Sequence, residues 1–488
     1  MTVVCLEISV MTKNCTGAKV LLISANRCTI PDPVFPLGLA CLNAALRQAG
    51  CDTQWADSLA SGEGIEEALS RYQPDFIGVS LRNIDDVLIS KRETFFEDVA
   101  LLVAKIRQKS DRPVVLGGSG FSIFPERLLE LAGADFGICG EGEAGFVSLI
   151  SAQQDRRDAT GIPGLVYRHN GGIAINAPER CFLEQEVQEI DRPASITAHY
   201  LRASGMLNIQ TQRGCGLRCC YCTYPVIEGK QHRGRPAETV AAEFAQLQRA
   251  GARYVFVVDS VFNSSAAHVT EICEAILRQK VKMSWGCFLR PRGLTPELMK
   301  LMARAGLSHI EFGSDSFCDE VLAAYHKDLT FEDILYSSEL AHRERVDYCH
   351  FLICGGPGET RRTLEKGFER SQRLRGAVIM AVAGMRIYPG TELFERAVAE
   401  GRIDRAADLL TPTFYLSPGL TAELVFERLR EFASRSSNWI VGDPVPAYTS
   451  VIGRLRQRGM AGPLWSYFSI IQRLWPQGGV GPAATEGE

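Results

Sequence analysis

The chain has 488 residues, 46% of them hydrophobic and 23% charged, and a formal net charge of -4. This length predicts two or three domains, because single hydrophobic cores stop growing at smaller sizes, and the weakly acidic balance gives no electrostatic basis for a nucleic-acid partner. The sixteen cysteines have no paired spacing, which predicts a reduced protein without a disulfide framework. The sequence shows no basic leader and no apolar run of membrane-spanning length, so we expect a cytoplasmic protein without a signal peptide.

Residues 1–150 alternate short apolar runs with stretches of helical periodicity. Leu39, Leu42 and Leu46, for example, fall on one face of a helix that Gly50 closes. Alternation of this kind predicts an α/β domain with an open, doubly wound parallel sheet. Its strands are predicted at 19–24, 53–56, 76–80, 113–116 and 135–139.

Glycines and small polar residues follow three of these predicted strands, where an open parallel sheet binds its ligands. Glycine lets backbone approach a flat ligand closely and offers N–H groups to it, although each stretch alone is as typical of a tight turn. Their coincidence at one edge favours a ligand site. The residues are Ser80 and Asn83, then Gly117, Gly118, Ser119 and Gly120, then Gly140, Glu141, Gly142 and Glu143.

The pattern loosens over residues 151–205, which we interpret as a linker. Two short apolar runs there flank Asn170-Gly171, a strong signal for a β-hairpin.

Strand–helix alternation restarts at Met206 and continues to about Arg396, and residues 397–488 are predicted to be mostly helical. Hydroxyl caps at Thr295 and Thr330 predict two of the helix starts. The six strands are predicted at 207–211, 254–258, 283–289, 309–312, 348–353 and 384–387.

The first of these strands runs into a cysteine loop, in which Cys215, Cys219 and Cys222 are spaced C-x3-C-x2-C. Three thiolates on a short loop can each hold one iron of a cubane cluster. The fourth iron is then free to chelate S-adenosylmethionine (SAM), and the cluster can donate an electron that breaks a C–S bond. Cys220 is out of register with the three, and we interpret it as a bystander.

A structural zinc site is the main alternative for this loop, ahead of cysteines that only pack. Zinc usually takes four ligands in two separated pairs. No second pair follows here, since the next cysteine, Cys273, stands alone and the nearest histidine is His232.

The cysteine spacing and the Tyr221-Cys222 ending resemble the radical SAM superfamily. The glycine stretches of residues 1–150 resemble the Rossmann-like cobalamin-binding domain that precedes many of its members. The resemblance implies a partial (β/α)6 barrel at 206–396, with reactive groups at the carboxyl ends of its strands. It also implies three cofactors: a 4Fe-4S cluster held by Cys215, Cys219 and Cys222, SAM, and cobalamin.

Residues after the other barrel strands extend the resemblance, which implies that they contact SAM. Local alternatives exist for several of them. Asp315 can cap the helix that follows, Arg290 can be a solvated loop residue, and the Gly355-to-Thr360 stretch can be a turn before a helix. The implied SAM contacts are Tyr221, Asp259, Arg290, Asp315, Ser316, Gly355 and Gly356.

One departure from the cobalamin-binding pattern follows directly from the sequence. Domains that replace the lower base of cobalamin use a histidine in a D-x-H-x-x-G loop, but the first strand here runs into residues 24–28 without one. The first histidine of the chain is His169. We therefore predict that the N-terminal domain supplies no histidine to cobalt.

The resemblance implies a methyltransferase that moves a methyl group from SAM through methylcobalamin to an unactivated carbon. The expected substrate is a small molecule or lipid-like, and the expected partner is an electron donor such as flavodoxin or ferredoxin. Cyclisation or ring rearrangement with the same cofactors is the alternative within enzymes. A non-catalytic cobalamin-binding or electron-transfer module is the alternative outside them. Methylthio transfer fits poorly, because the N-terminal domain has no additional cysteine triad.

Aromatic residues crowd positions 465–475 near the end of the chain. This stretch predicts a helix that docks onto the barrel, with contact to a membrane surface as the weaker alternative. The glycine-rich residues after Pro476 are predicted to be disordered.

Overall fold

The structure is a computed structural model that describes residues 15, 17–29, 32–60, 64–178, 190–442, 454–456, 458, 462 and 467. Of the aromatic stretch at 465–475 only Tyr467, which is buried, is described, and the tail after Pro476 lies outside the described residues. The chain divides into two compact units. The first comprises residues 1–27, 36–84 and 95–193, and the second comprises residues 28–35, 85–94 and 194–488.

The first unit is built on a seven-stranded sheet in the order β2-β1-β3-β4-β5-β6-β7. The first five strands are parallel, which confirms the predicted doubly wound sheet. The strands are β1 (Lys19–Ser24), β2 (Asp52–Asp57), β3 (Phe76–Ser80), β4 (Val114–Gly117), β5 (Phe136–Ile138), β6 (Leu165–His169) and β7 (Gly172–Ile175). The helices are α1 (Leu37–Gln48), α2 (Ile65–Tyr72), α3 (Phe96–Arg107), α4 (Ser119–Ile123), α5 (Pro125–Ala132) and α6 (Gly142–Gln154).

The predicted hairpin exists as β6 and β7, but it belongs to this sheet. β6 pairs antiparallel with β5, so the hairpin extends the sheet instead of forming a separate linker. The reason is apolar burial, because Leu165 joins the hydrophobic core of the unit. The predicted boundary at residue 150 falls inside α6, and the unit continues to Pro193.

The second unit contains a parallel seven-stranded sheet in the order β18-β15-β14-β13-β12-β11-β8. Six of the strands follow chain order, as expected for consecutive strand–helix units. They are β8 (Met206–Ile209), β11 (Tyr254–Val257), β12 (Ser284–Leu289), β13 (Leu307–Asp315), β14 (Asp347–Cys354) and β15 (Val378–Ala383), with β18 (Trp439–Val441) as the seventh. Two short antiparallel pairs are β9 (Gln212–Arg213) with β10 (Arg233–Gly234), and β16 (Met385–Arg386) with β17 (Phe414–Tyr415).

Helices connect these strands. Thr295 and Thr330 cap their helices through side-chain hydrogen bonds, as predicted. Among the described residues, no helix is both long enough and apolar enough to cross a bilayer. The helices are α7 (Ala194–Ser204), α8 (Tyr224–Ile227), α9 (Ala237–Arg249), α10 (Ala266–Arg278), α11 (Pro296–Arg304), α12 (Asp319–Ala324), α13 (Phe331–Arg343), α14 (Arg361–Ser371), α15 (Glu392–Ala399) and α16 (Ala422–Arg435).

One strand prediction for the second unit was wrong. The sixth strand lies at Val378–Ala383 rather than at 384–387, because Gly384, with a φ of 77°, ends it. In the C-terminal segment, which was predicted to be mostly helical, α16 is followed by β18, which pairs with β15 and extends the sheet.

Candidate cofactor-binding sites

The cysteine loop leaves the carboxyl end of β8 and is pinned by backbone contacts. The Cys215 N–H donates to the Gly229 carbonyl oxygen at 2.9 Å. Gly214 has a φ of 88°, and a Cβ atom there would lie 1.9 Å from the Gln231 carbonyl oxygen. Only glycine therefore fits at the entry to the loop.

Asp259 fixes the strand end just before this loop. Its side chain is 0% exposed, and its Oδ1 accepts hydrogen bonds from the Thr211 and Gln212 N–H groups at 2.7 and 3.2 Å. Its Oδ2 accepts from the Thr211 hydroxyl at 2.5 Å. Burial raises the pKa of Asp259 to about 7. The carboxylate is fully buried and holds the loop in place, and contact between Asp259 and SAM stays a prediction.

The three predicted cluster ligands lie close together on the loop. Cys215 is buried, and Cys219 and Cys222 are partly exposed. Burial, with a smaller contribution from the neighbouring Cys219 and Cys215 thiols, raises the pKa of Cys222 to about 12. Burial likewise raises the pKa of Cys219, although Lys327 opposes this effect. Three mutually close thiols beside a cation fit the ligation of an anionic iron–sulfur cluster.

Cys220 points into the protein, as expected for a bystander. Its side chain is buried, its N–H donates to the Tyr325 carbonyl oxygen, and its own carbonyl oxygen accepts from the Leu393 N–H. Both backbone contacts orient the loop.

A buried polar group of Tyr221, Asp315 and Lys327 lies beside the cysteines. The Tyr221 hydroxyl donates to Asp315 Oδ2, and Lys327 Nζ lies 2.6 Å from the same oxygen. The side chains of Lys327 and Asp315 are only 8% and 6% exposed. Burial acts to lower the pKa of Lys327, but Asp315, Cys219 and Cys222 raise it above its ordinary value. The structure therefore brings the predicted residues Tyr221 and Asp315 together at the cysteine loop.

Sequence reasoning missed Lys327. It lies between α12 and α13, twelve residues after Asp315, and no local spacing rule connects it to the cysteine loop. A lysine next to a run of apolar residues was the one available signal, and that signal is common on protein surfaces.

An irregular strand end aims the Asp315 side chain. The pairing of β13 with β14 shifts register between Phe312 and Asp315, and Asp315 has a φ of +62°. Aspartate tolerates this left-handed conformation better than most residues. Asp315 does not cap the following helix: Cys318 is the N-cap of α12, without a side-chain cap bond. That alternative for Asp315 was wrong.

Ser316 and Arg290 are engaged locally. Ser316 Oγ accepts from the Cys318 N–H at 3.1 Å. The Arg290 guanidinium donates to the Lys327 carbonyl oxygen at 3.0 Å and lies 3.1 Å from the Asp328 carboxylate. Arg290 therefore supports the turn that carries Lys327 and is not a freely solvated residue, while its contact with SAM stays a prediction.

Protein side chains fill the space beside Gly355 and Gly356. A Cβ atom at Gly355 would lie 2.6 Å from Leu416 Cδ2, and one at Gly356 would lie 2.4 Å from the Tyr325 hydroxyl. The chain's own packing thus requires glycine at both positions, and their contact with SAM stays a prediction. The turn before a helix, which was the local alternative for this stretch, is observed, because Thr360 caps α14.

Glu359 holds this turn through two hydrogen bonds, and its titration is testable. Its carboxylate accepts from the Gly355 N–H at 3.0 Å and from the Thr363 hydroxyl at 3.2 Å. Burial raises the pKa of Glu359 from 4.5 to about 7. Between about pH 4.5 and pH 7, the folded protein therefore keeps a proton on Glu359 that the unfolded chain has lost. The contribution of Glu359 to the free energy of unfolding falls as the pH rises through this range.

Glu359→Gln is expected to accept from the Gly355 N–H through its amide oxygen, to donate from its amide nitrogen to the Thr363 hydroxyl, and to remove the titration. Relative to wild type, the variant should have similar stability near pH 5 and be more stable by about 2–3 kcal/mol near pH 8. Urea unfolding of both proteins across this range measures the difference. A difference that does not change with pH would contradict the assignment.

In the first unit, the predicted stretches meet at the carboxyl edge of the sheet. The Leu81 N–H donates to the Gly117 carbonyl oxygen, and the Ser119 hydroxyl donates to the Arg82 carbonyl oxygen. The Gly140 N–H donates to Ser122 Oγ at 2.8 Å, which ties in the third stretch. Their predicted convergence, on which the ligand-site interpretation depends, is therefore present.

Two of these glycines serve the chain's own packing. A Cβ atom at Gly118 would lie 2.5 Å from the Leu81 carbonyl oxygen, and one at Gly120 would lie 3.0 Å from that of Arg82. Gly117 has more room, with nothing closer than 3.7 Å. Gly140 has a φ of 78°, and Glu141 to Glu143 lead into α6.

The same edge fits a polar, flat ligand such as cobalamin. Asn83 Oδ1 is buried and has no hydrogen-bond partner among the described residues, so it is free to accept from an amide side chain of a corrin. His169, the first histidine of the sequence, ends β6, whose antiparallel direction places it at the opposite edge. This placement agrees with a cobalt site without a histidine from this unit.

Two family models match separate parts of the chain. The model of the Radical SAM superfamily matches residues 209–370, and that of the B12 binding domain matches residues 23–150. The first range contains the cysteine loop with Asp315 and Lys327, and the second contains the glycine-rich sheet edge. The fold and the cysteine loop thus define a radical SAM protein.

Related proteins and one solved structure are similar to the chain over most of its length. The chain is 25% identical over 437 residues to tryptophan 2-C-methyltransferase of Streptomyces laurentii, covering 76% of this chain and 73% of that protein. It is 27% identical over 375 residues to an uncharacterized methyltransferase of Pyrococcus horikoshii, covering 75% and 78%. The methyltransferase TsrM from Kitasatospora setae, solved with cobalamin and a 4Fe-4S cluster bound, superposes with a TM-score of 0.84 at 24% identity, over 94% of this chain and 98% of that one.

The chain belongs to the cobalamin-dependent radical SAM enzymes. Its cofactors are a 4Fe-4S cluster, SAM and cobalamin, and the methyltransferase relatives support a methyltransferase.

Proposed function

We propose that this enzyme transfers a methyl group from SAM to an unactivated carbon of a small-molecule or lipid-like substrate. The observation that carries the proposal is the three-cysteine loop with the Tyr221, Asp315 and Lys327 group beside it, in a chain that also has a cobalamin-binding sheet edge. The similarity to tryptophan 2-C-methyltransferase supports carbon as the acceptor.

Within this proposal, Cys215, Cys219 and Cys222 hold the cluster, and the residues at the glycine-rich edge hold cobalamin. When bound, these groups supply the electron that cleaves SAM and the carrier for its methyl group.

The chain's own contribution is positioning and charge. Asp259 fixes the strand end that presents the cysteines, and its full burial makes that anchor rigid. Lys327 and Asp315 place opposite charges in a nearly water-free site, where electrostatic interactions are stronger than in water. A zwitterionic amino acid group, such as that of SAM, carries the complementary pair of charges.

Methyl-labelled SAM tests the proposal. The anaerobically reconstituted enzyme, supplied with cobalamin, a reductant and extracts of its host, is expected to yield a product that contains the intact labelled methyl group, as read by mass spectrometry. Cys222→Ala serves as the control without a complete cluster. A product that has lost hydrogen and carries no label would instead support cyclisation, and SAM that is neither cleaved nor consumed would support a non-catalytic module.

A further inference from the structure

A second group of metal-ligand residues lies within the sheet of the second unit. His309 and Glu311 of β13 and Cys349 of β14 bring one donor atom each to within 4.8 Å of one another. Glu311 and Cys349 are register partners, and His309 lies two residues before Glu311 on the same face of its strand. All three side chains are buried or nearly so.

His309 lacks the partners that a buried histidine normally has. It is 0% exposed, and neither ring nitrogen makes a hydrogen bond within the described part of the chain. Its Nε2 lies 3.7 Å from the Glu311 carboxylate, beyond hydrogen-bonding distance. Buried polar groups without partners are rare, so this imidazole is explained best by a ligand.

His350, on the neighbouring strand β14, is the internal contrast. It is equally buried, but it lies on the opposite face, where Ser314 Oγ is 2.7 Å from its Nδ1 and Ser338 Oγ is 3.1 Å from its Nε2. The same sheet therefore satisfies one buried histidine completely and leaves the other open toward Glu311 and Cys349.

Tyr254 of β11 adds an oxygen to the same place. Its hydroxyl is buried and makes no hydrogen bond to any described residue. A Cβ atom at Gly286 would lie 2.0 Å from this hydroxyl and 3.0 Å from the His309 carbonyl oxygen. The absence of a side chain at Gly286 thus lets Tyr254 reach across β12 to β13.

We propose that His309, Glu311 and Cys349 bind one zinc ion. Nitrogen, oxygen and sulfur donors in one site are typical of zinc, and three protein ligands leave a fourth position, to which the Tyr254 hydroxyl is adjacent. Zinc ligand distances of about 2.0–2.3 Å place donor atoms about 3.5 Å apart, so the side chains close in by about 1 Å on binding.

Charge balance supports a divalent ion. Binding releases the thiol proton of Cys349 to solvent, and the resulting thiolate and the Glu311 carboxylate together neutralise Zn²⁺. A neutral site is what a buried position requires. The site is separate from the cysteine loop, since Asp315 lies four residues beyond Glu311 on β13, which is about 13 Å of strand.

Metal analysis of the anaerobically purified holoenzyme tests this inference. We expect about one zinc per chain in addition to cluster iron, and zinc K-edge X-ray absorption that contains one sulfur neighbour. His309→Ala and Cys349→Ser should each lose the zinc. A variant with Cys215, Cys219 and Cys222 replaced by alanine should keep it.

Cys287→Ser is the matched control, since Cys287 is a fully buried cysteine of β12 outside the group. It should retain zinc, and circular dichroism melting of every variant separates loss of metal from loss of fold. Absence of zinc from the folded wild-type protein, zinc that persists in folded His309→Ala, or zinc that disappears with the cysteine loop would each overturn the proposal. None of these outcomes depends on methyl transfer, so the proposed function is tested separately.

Discussion

Iron bound to the protein is expected to fall from about four atoms per chain to none when Cys215, Cys219 and Cys222 are replaced together by alanine. The three thiols lie together on one pinned loop, so their removal takes away every protein ligand that the loop offers to iron. SAM cleavage under reduction should fall to background with the iron. Iron and sulfide analysis, with chromatographic measurement of SAM consumption, checks both results.

Cys220→Ala is the matched control for this experiment. Cys220 lies in the same loop, but it is out of register with the three, its side chain is almost fully buried, and its backbone is hydrogen-bonded to Tyr325 and Leu393. The control should therefore keep its full iron complement and its SAM cleavage. A triple variant that retains iron and still cleaves SAM would contradict the assignment of the loop.

The elements that the sequence predicted correctly are those whose signals are local. Apolar runs, helical periodicity and hydroxyl caps such as Thr330 depend on neighbouring residues, and they placed most strands and several helix starts. The cysteine loop was equally accessible, because its three ligands lie within eight residues. Local signals failed at Gly384, where a left-handed turn separates a buried strand from a short antiparallel pair.

Side-chain roles that depend on distant parts of the chain were not accessible from the sequence. At Gly355 and Gly356, for example, Leu416 and Tyr325 lie where a side chain would be, and no local pattern indicates this packing. Likewise, no local pattern indicates that the Asp259 carboxylate accepts hydrogen bonds from the backbone N–H groups of Thr211 and Gln212. In both cases the contacting residues belong to another strand–helix unit, and the sequence alone does not show which distant residues will meet.

Lys327→Met is the second substitution with a large expected effect. It removes a buried cation and leaves the Asp315 carboxylate without its ion-pair partner, which typically costs about 3–5 kcal/mol of unfolding free energy. It also removes positive charge beside Cys219 and Cys222, so the cluster is expected to become harder to reduce. Urea unfolding measures the first effect, and a redox titration followed by electron paramagnetic resonance measures the second.

Lys327→Arg separates charge from shape. It keeps the cation and can still pair with Asp315, so its cluster potential should stay close to that of wild type even if packing around the larger guanidinium lowers stability. Tyr221→Phe, which removes the hydroxyl donated to Asp315 but leaves the ion pair, should have an intermediate effect. If Lys327→Met unfolds at the wild-type urea concentration and titrates at the wild-type potential, then the lysine neither balances Asp315 nor acts on the cluster. The interpretation of this buried group as part of the site would then be wrong.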